Sequence, residues 1–294
     1  GGAGEAAKDP VAEPDAPLDG SVPCLPEYAA DLPAGPVVYV ASCYAGGDSD
    51  GSAEKPYVSV GEALESADAG SVIALGAGAY EENVLITKPL SLVGAGTDDC
   101  TLSTAGEQVT LAVVEAADVS VRGLSLLGGG PAGLLVSGAS RVDVSDLVFA
   151  GYMGDHPSAG SVVTVTQSEA VTLHNIEVGA VGVDGVFVSE SNDVSVSGCT
   201  VLGGVSGVFL SESSDVSVHQ NSVQGSKSAA IVVSSVQSVV VADNSISDAA
   251  ISGIAVYFQS EVTLSGNTVT DTVEGGVFDF GNVSTVPLAA GVLL

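Results

Sequence analysis

From Thr110 onward the chain repeats itself about every 23 residues, and this feature limits its fold more than any other. Val186-Phe187-Val188-Ser189-Glu190-Ser191-Asn192-Asp193-Val194-Ser195-Val196 returns as Val208-Phe209-Leu210-Ser211-Glu212-Ser213-Ser214-Asp215-Val216-Ser217-Val218. Equivalent anchor positions are Thr110, Gly133, Val162, Gly185, Gly207, Ala230, Gly253 and Gly276, with steps of 23, 29, 23, 22, 23, 23 and 23 residues. A fixed period of this size predicts a solenoid built by stacking one supersecondary unit.

Aligned by anchor, the turns separate into columns. One and three positions after the anchor stand Val, Leu or Ile, as in Val186 and Val188, Val208 and Leu210, Ile231 and Val233. Positions nine and eleven repeat the pattern with Val194 and Val196, Val216 and Val218, Val239 and Val241. Position sixteen holds Leu126, Phe149, Val178, Val201, Val223, Ile246 and Val269. Alternating apolar residues signal strands, and the excess of β-branched side chains suits a pleated surface. Three short runs per turn, broken by Ser, Gly, Asp and Asn, predict a parallel β-helix with like residues about 4.8 Å apart along its axis. Asn221, Asn244 and Asn267 share a column fourteen after the anchor and are read as a structural ladder. Each amide there pairs with the next coil and with turn backbone.

Composition sharpens this picture. Hydrophobic residues make up 46% of the 294 and aromatics only 4%, so the core must be aliphatic. The net charge of −30 comes from 36 acidic residues against only 6 Lys and Arg. Such a surface excludes nucleic acid and anionic membrane, which need a basic footprint. It also repels polyuronates unless divalent cations bridge them. No apolar stretch is long enough to span a bilayer.

The chain divides into a tether over residues 1–35, a cap with the first coils over 36–108, and the repeats over 109–294. The tether is rich in Ala, Pro, Asp, Glu and Gly, and suits a secreted or surface protein, lipid-anchored through a preceding segment. The apolar end Val292-Leu293-Leu294 breaks the repeat, so the chain is expected to be a fragment. Cys24 and Cys43 flank the entry to the folded part and can pair in an oxidising compartment. Cys199 falls in a core column and is expected to be an inert thiol. Ser59-Val60-Gly61-Glu62 has capping-box spacing, and Val60, Ala63, Leu64 and Ala67 share one face. Residues 59–68 are therefore predicted to form a short helix covering the first coil.

Tyr39-Val40, Gly46-Gly47-Asp48-Ser49-Asp50-Gly51, Lys55-Pro56-Tyr57, Ala79-Tyr80-Glu81-Glu82 and Leu90-Ser91-Leu92-Val93-Gly94-Ala95-Gly96 carry a family resemblance. They resemble the opening of right-handed parallel β-helix proteins of the pectin-lyase-like superfamily. The resemblance spans residues 36 to about 280 and implies the all-β fold. It leaves activity open, because that superfamily includes lyases, hydrolases, epimerases and non-catalytic surface proteins.

Candidate functional residues are few. Residues 150–161 contain the six-residue excess of one turn, with Tyr152, Met153, Asp155 and His156. They are either a binding loop or a bulge folded onto the sheet. Phe187 and Phe209 stack in adjacent turns at an outward position, where sugar rings could stack or the loop could lie. Arg122, Asp143 and His174 fall at outward positions and are either an acid–base group or, the better explanation of the stripe, scattered polar residues on a solvated face. His174 and His219 are two turns apart, too far to share a metal. Asp193 with Asp215, and Glu190 with Glu212, are paired carboxylates one turn apart, read as corner residues that could also hold Ca²⁺. Asp48-Ser49-Asp50-Gly51 resembles part of a calcium loop but is read as a turn. No cofactor is required by any of these patterns.

The expectation is a non-catalytic β-helix binding glycans or partner proteins, with Tyr152, Asp155, His156, Phe187 and Phe209 as contacts. The alternatives are a polysaccharide lyase or glycoside hydrolase centred on Asp155, His156 and His174, and a purely structural stalk.

Overall fold

The computed structural model describes residues 24, 26–104, 108–128, 132–152, 160–258, 260–273 and 276–279. Its strands are parallel and stack into a sixteen-stranded and a nine-stranded sheet, the three-faced all-β solenoid expected from the repeat. The register reproduces the sequence columns. Leu111, Leu134, Val163, Val186, Val208, Ile231, Ile254 and Val277 are partners from coil to coil in the nine-stranded sheet. Val119, Val142, Val171, Val194 and Val216 are partners in the larger one. Their side chains, with those two positions on, fill one continuous aliphatic core.

The corners follow from backbone chemistry. Thirteen positions after each anchor, Gly123, Asp146, Asn175, Gly198, Gln220, Asp243 and Gly266 all have positive φ. The position five after the anchor behaves alike, through Glu115, Gly138, Gln167, Glu190, Glu212, Ser235 and Phe258. A single left-handed residue turns an extended chain sharply, and Gly, Asn and Asp adopt it most readily. Many of the acidic residues therefore serve as corner residues.

At the second corner two constructions occur. Leu124, Leu147 and Ile176 follow the left-handed residue in the early coils, and the chain passes as the bent strands Ala117–Leu127, Ser140–Ala150 and Glu169–Val181. Cys199, Asn221, Asn244 and Asn267 take this place later, and the strand is interrupted. There the asparagines form the expected ladder. Asn221 Nδ2 donates to Asn244 Oδ1 at 3.0 Å and to the Val196 carbonyl at 3.0 Å. Asn244 Nδ2 donates to Asn267 Oδ1 at 2.9 Å and to the Val218 carbonyl at 2.9 Å. The backbone N–H groups of Cys199, Asn221 and Asn244 donate to the next Oδ1 as well. Every buried amide is thus paired.

The cap is the helix Val60–Ser66, which buries Val60 and Ala63 against the first coil. Ser59 caps it, its hydroxyl accepting from the Glu62 N–H at 3.2 Å. Glu82, from the segment after strand Gly78–Glu81, accepts from the N–H groups of Val60 and Gly61 at 2.8 and 3.0 Å. A carboxylate distant in sequence thus satisfies donors that the helix leaves unpaired. Cys24 and Cys43 are disulfide-bonded. Residues 26–35, assigned to the tether from composition, lie against the first coils. The Tyr28 ring packs edge-on against Tyr39, and Asp31 binds Arg122.

Candidate functional site

An outer aromatic strip forms on the nine-stranded sheet. Strands Asp184–Ser189 and Val208–Ser211 pair with Phe187 opposite Phe209. Their neighbours Val186, Val188, Val208 and Leu210 are fully buried, so alternation directs both Phe rings outward. The ring centroids are 5.4 Å apart in an edge-on arrangement, the geometry that the aromatic quadrupole favours. Both residues remain half-buried.

Beyond the two phenylalanines that the sequence singles out the column stays apolar but is buried. Phe209 is followed in its column by Val232 and Ala255. With Ala229 these make a small-residue shelf on which Phe209 and Tyr257 pack. Phe258 follows at the corner. It is 70% exposed and has φ 45°, in a column otherwise of Glu, Gly, Gln and Ser. A bulky side chain in the left-handed region costs on the order of 1–3 kcal/mol. The anomaly is visible in the sequence once the fifth column is read, since Phe stands there where its equivalents are polar or Gly.

The same corner is acidic beside the phenylalanines. Glu190 and Glu212 are exposed, three residues after Phe187 and Phe209, with φ of 48° and 46°. Gln167 Nε2 donates to Glu190 Oε2 at 3.2 Å. With Glu169 and Asn192 they line a shallow groove of about 710 Å³. Asp193 and Asp215 also have positive φ, which accounts for them as turn residues.

The remaining candidates separate. Tyr152 is only 4% exposed, and its hydroxyl hydrogen-bonds the Thr110 hydroxyl at 2.9 Å. Burial pushes its pKa up to about 12. A β-carbon on Gly128 would stand 2.1 Å from this ring and one on Gly133 2.9 Å from it, so both glycines hold open the slot that it fills. The ligand contact expected of Tyr152 is therefore corrected: its ring is part of the core and presents no face to a ligand. Met153, Asp155 and His156 lie outside the described residues.

Of the acid–base group, Asp143 and His174 do meet, with Asp143 Oδ1 3.3 Å from His174 Nε2 on a half-exposed surface. Arg122 does not join them, because its guanidinium binds the Asp31 carboxylate at 3.1 Å and the Asp31 carbonyl. Ser197 separates His174 from His219 in their column, as the two-turn spacing requires. Cys199 is buried, and desolvation raises its thiol to about 11, which suppresses the reactive thiolate. The Asp48 and Asp50 carboxylates are engaged in their own turn, by Lys55 and Tyr44 and by the Ser52 N–H. Among the described residues no group of three or more His, Cys, Asp or Glu is arranged to hold a metal. None of the helices among them is long and apolar enough to cross a membrane.

Comparison with known proteins agrees with the fold. A family model described as "Right handed beta helix region" matches residues 132–289. No curated protein matches the sequence. Pectate lyase Pel9A superposes with a TM-score of 0.66 at 11% identity, over 88% of this chain and 82% of that one. The alginate lyase from Paenibacillus sp. str. FPU-7 gives 0.55 at 15% identity, over 74% and 95%. The enzymatically active domain of Bacteriophage CBA120 tailspike protein 2 gives 0.55 at 9%, over 72% of this chain and 42% of that one. At such identities the likeness concerns the fold.

Proposed function

The chain belongs to the right-handed β-helix family, and from that premise we propose that it is a non-catalytic, secreted or surface-held protein that binds glycans. The binding surface is the outer aromatic strip. The observation that carries this reading is the outward pair Phe187–Phe209, of which Phe209 is braced by the shelf of Ala229, Val232 and Ala255. An aromatic face offers apolar area to the C–H-rich face of a sugar ring, and a braced ring loses little freedom when it does so. Several structural neighbours are named as enzymes of polysaccharides, which adds a polysaccharide partner by analogy.

The commitment of the cations supports a binding role over uronate chemistry. Lys55, Lys88, Arg122 and Arg141 bond Asp48, the Ala67 carbonyl, Asp31 and Asp118. Lys227, two residues before Ala229, is the one further described cation, and a single cation does not make the cluster that neutralising a uronate chain needs. The test is binding to a polysaccharide array. The double variant Phe187→Ala/Phe209→Ala should weaken binding at least about tenfold, a loss of roughly 1.4 kcal/mol. Binding unaffected by the double variant removes the strip as the site.

A second reading is that of a carbohydrate-active enzyme, and the Asp143–His174 pair favours it, since a carboxylate beside an imidazole is one means of orienting a general base. Screening the full chain against polysaccharides, with and without Ca²⁺, decides between them. Cleavage that His174→Gln abolishes establishes the enzyme.

A further inference from the structure

The aromatic strip has a charged margin, and the two together define a ligand class. Phe187 and Phe209 each lie three residues before a carboxylate fixed at the corner by left-handed backbone. Glu190 is held further by Gln167. Glu169 opens into the same shallow groove but lies near enough to Arg141 for their charges to interact, so the carboxylates that follow the aromatic pair at the corner are Glu190 and Glu212. Among the described residues lining that groove there is no Lys or Arg. At the other end of the strip the corner column changes from Glu to Ser235 and then to the exposed Phe258. Between the two ends Val232 and Ala255 are buried under Phe209 and Tyr257, so the outward aromatic surface is the Phe187–Phe209 pair, one coil step or about 4.8 Å along the axis.

We propose that this strip selects uncharged glycan chains, and that Glu190 and Glu212 exclude chains bearing carboxylates. The proposal rests on the glycan-binding reading above and specifies its substrate class. Sugar hydroxyls donate hydrogen bonds to a carboxylate, and such charge-assisted bonds are stronger than neutral ones. A uronate in the same place brings like charges together, which disfavours the wrong partner more than it alters the affinity of the right one. The interaction is between exposed charges, so salt screens it.

One polymer in two charge states provides the test. The full chain is run by affinity electrophoresis through gels containing homogalacturonan, either fully methyl-esterified or de-esterified, with chelator present so that divalent cations do not bridge. A neutral β-glucan and a neutral mannan are run in parallel. Wild-type protein should bind the ester about tenfold or more tightly than the free acid. The gap should narrow in high salt. Glu190→Gln/Glu212→Gln should weaken binding of the ester by a few-fold, through loss of the charge-assisted bonds, while weakening binding of the acid less or strengthening it, so that the gap narrows several-fold. Glutamine is already the corner residue at Gln167, so this variant keeps the turn. Equal or tighter binding of the acid by wild type overturns the proposal, as does a gap that neither salt nor the glutamine variant changes. If all the neutral polymers fail to retard the protein, or if Phe187→Ala/Phe209→Ala leaves the retardation intact, the strip itself is not a glycan site. That result is distinct from a wrong choice of glycan class.

Discussion

The early and late coils turn the same corner by different means. In Ala117–Leu127, Ser140–Ala150 and Glu169–Val181 an apolar residue follows the left-handed one, and the core continues unbroken around the bend. In the later coils asparagine stands there, and a line of amides joins each coil to the next. Leu124, Leu147 and Ile176 stabilise through removal from water, which is indifferent to direction. Asn221, Asn244 and Asn267 stabilise through directed bonds, each Nδ2 donating to a strand carbonyl and each Oδ1 accepting from the backbone of the preceding coil. The aromatic strip lies on the coils in which this ladder begins and continues. The long excursion and the Asp143–His174 pair belong to the coils without it.

Exchanging the two kinds of corner tests the contrast most severely. Asn244→Leu should cost about 3 kcal/mol or more in denaturant unfolding, since it removes the Oδ1 that accepts from both the side-chain amide and the backbone N–H of Asn221, and the donors to the Val218 carbonyl and Asn267 Oδ1. Leu147→Asn should cost somewhat less, about 2 kcal/mol, because one buried amide lacks partners between Leu124 and Ile176. If both substitutions are tolerated equally, the ladder is merely another way of filling space.

A smaller effect of opposite sign is expected at the far end of the strip. Phe258→Asn should raise stability by about 1 kcal/mol, because asparagine accepts the left-handed backbone that phenylalanine strains to occupy. A thermal midpoint that falls instead means that the ring makes contacts worth more than the strain.

The smallest effect concerns Asp184, at the start of the strand bearing Phe187. Burial raises its pKa, although its carboxylate accepts from the Ser206 N–H at 2.8 Å. A carboxyl with a raised folded-state pKa disfavours folding when ionised, and the penalty disappears once pH falls below its unfolded value. Asp184→Asn should therefore be slightly more stable than wild type at neutral pH. The two thermal midpoints should converge as the carboxyl protonates in acid. A difference that is constant across pH points to packing instead of charge.

Much of this architecture is legible in the sequence because side chains alternate strictly along strands. Once Val186 is placed inward, Phe187 must face out, and the register follows from the repeat. Asn221, Asn244 and Asn267 are legible for the same reason, as buried amides that only a ladder could satisfy. What escapes is whatever depends on contact between segments without a shared period. Asp31 meets Arg122 across ninety-one residues of chain, and Glu82 caps the helix that follows Ser59. Tyr152 looks like an exposed loop aromatic until Gly128 and Gly133 are seen to leave space for it. The shelf beneath Phe209 is hidden in another way, since Ala229, Val232 and Ala255 read as ordinary members of their columns.

The left-handed corner columns carry an evolutionary consequence. Because each coil turns at the same positions, the smallest change that leaves all neighbours matched is the gain or loss of one entire coil. A tandem duplication of such a unit would add its own Val rungs, its own amide and its own outward residue, already aligned with those on either side. Lengthening the strip therefore requires copying, whereas altering what it recognises requires only substitution in an outward column. A lineage of such proteins can change reach and specificity independently.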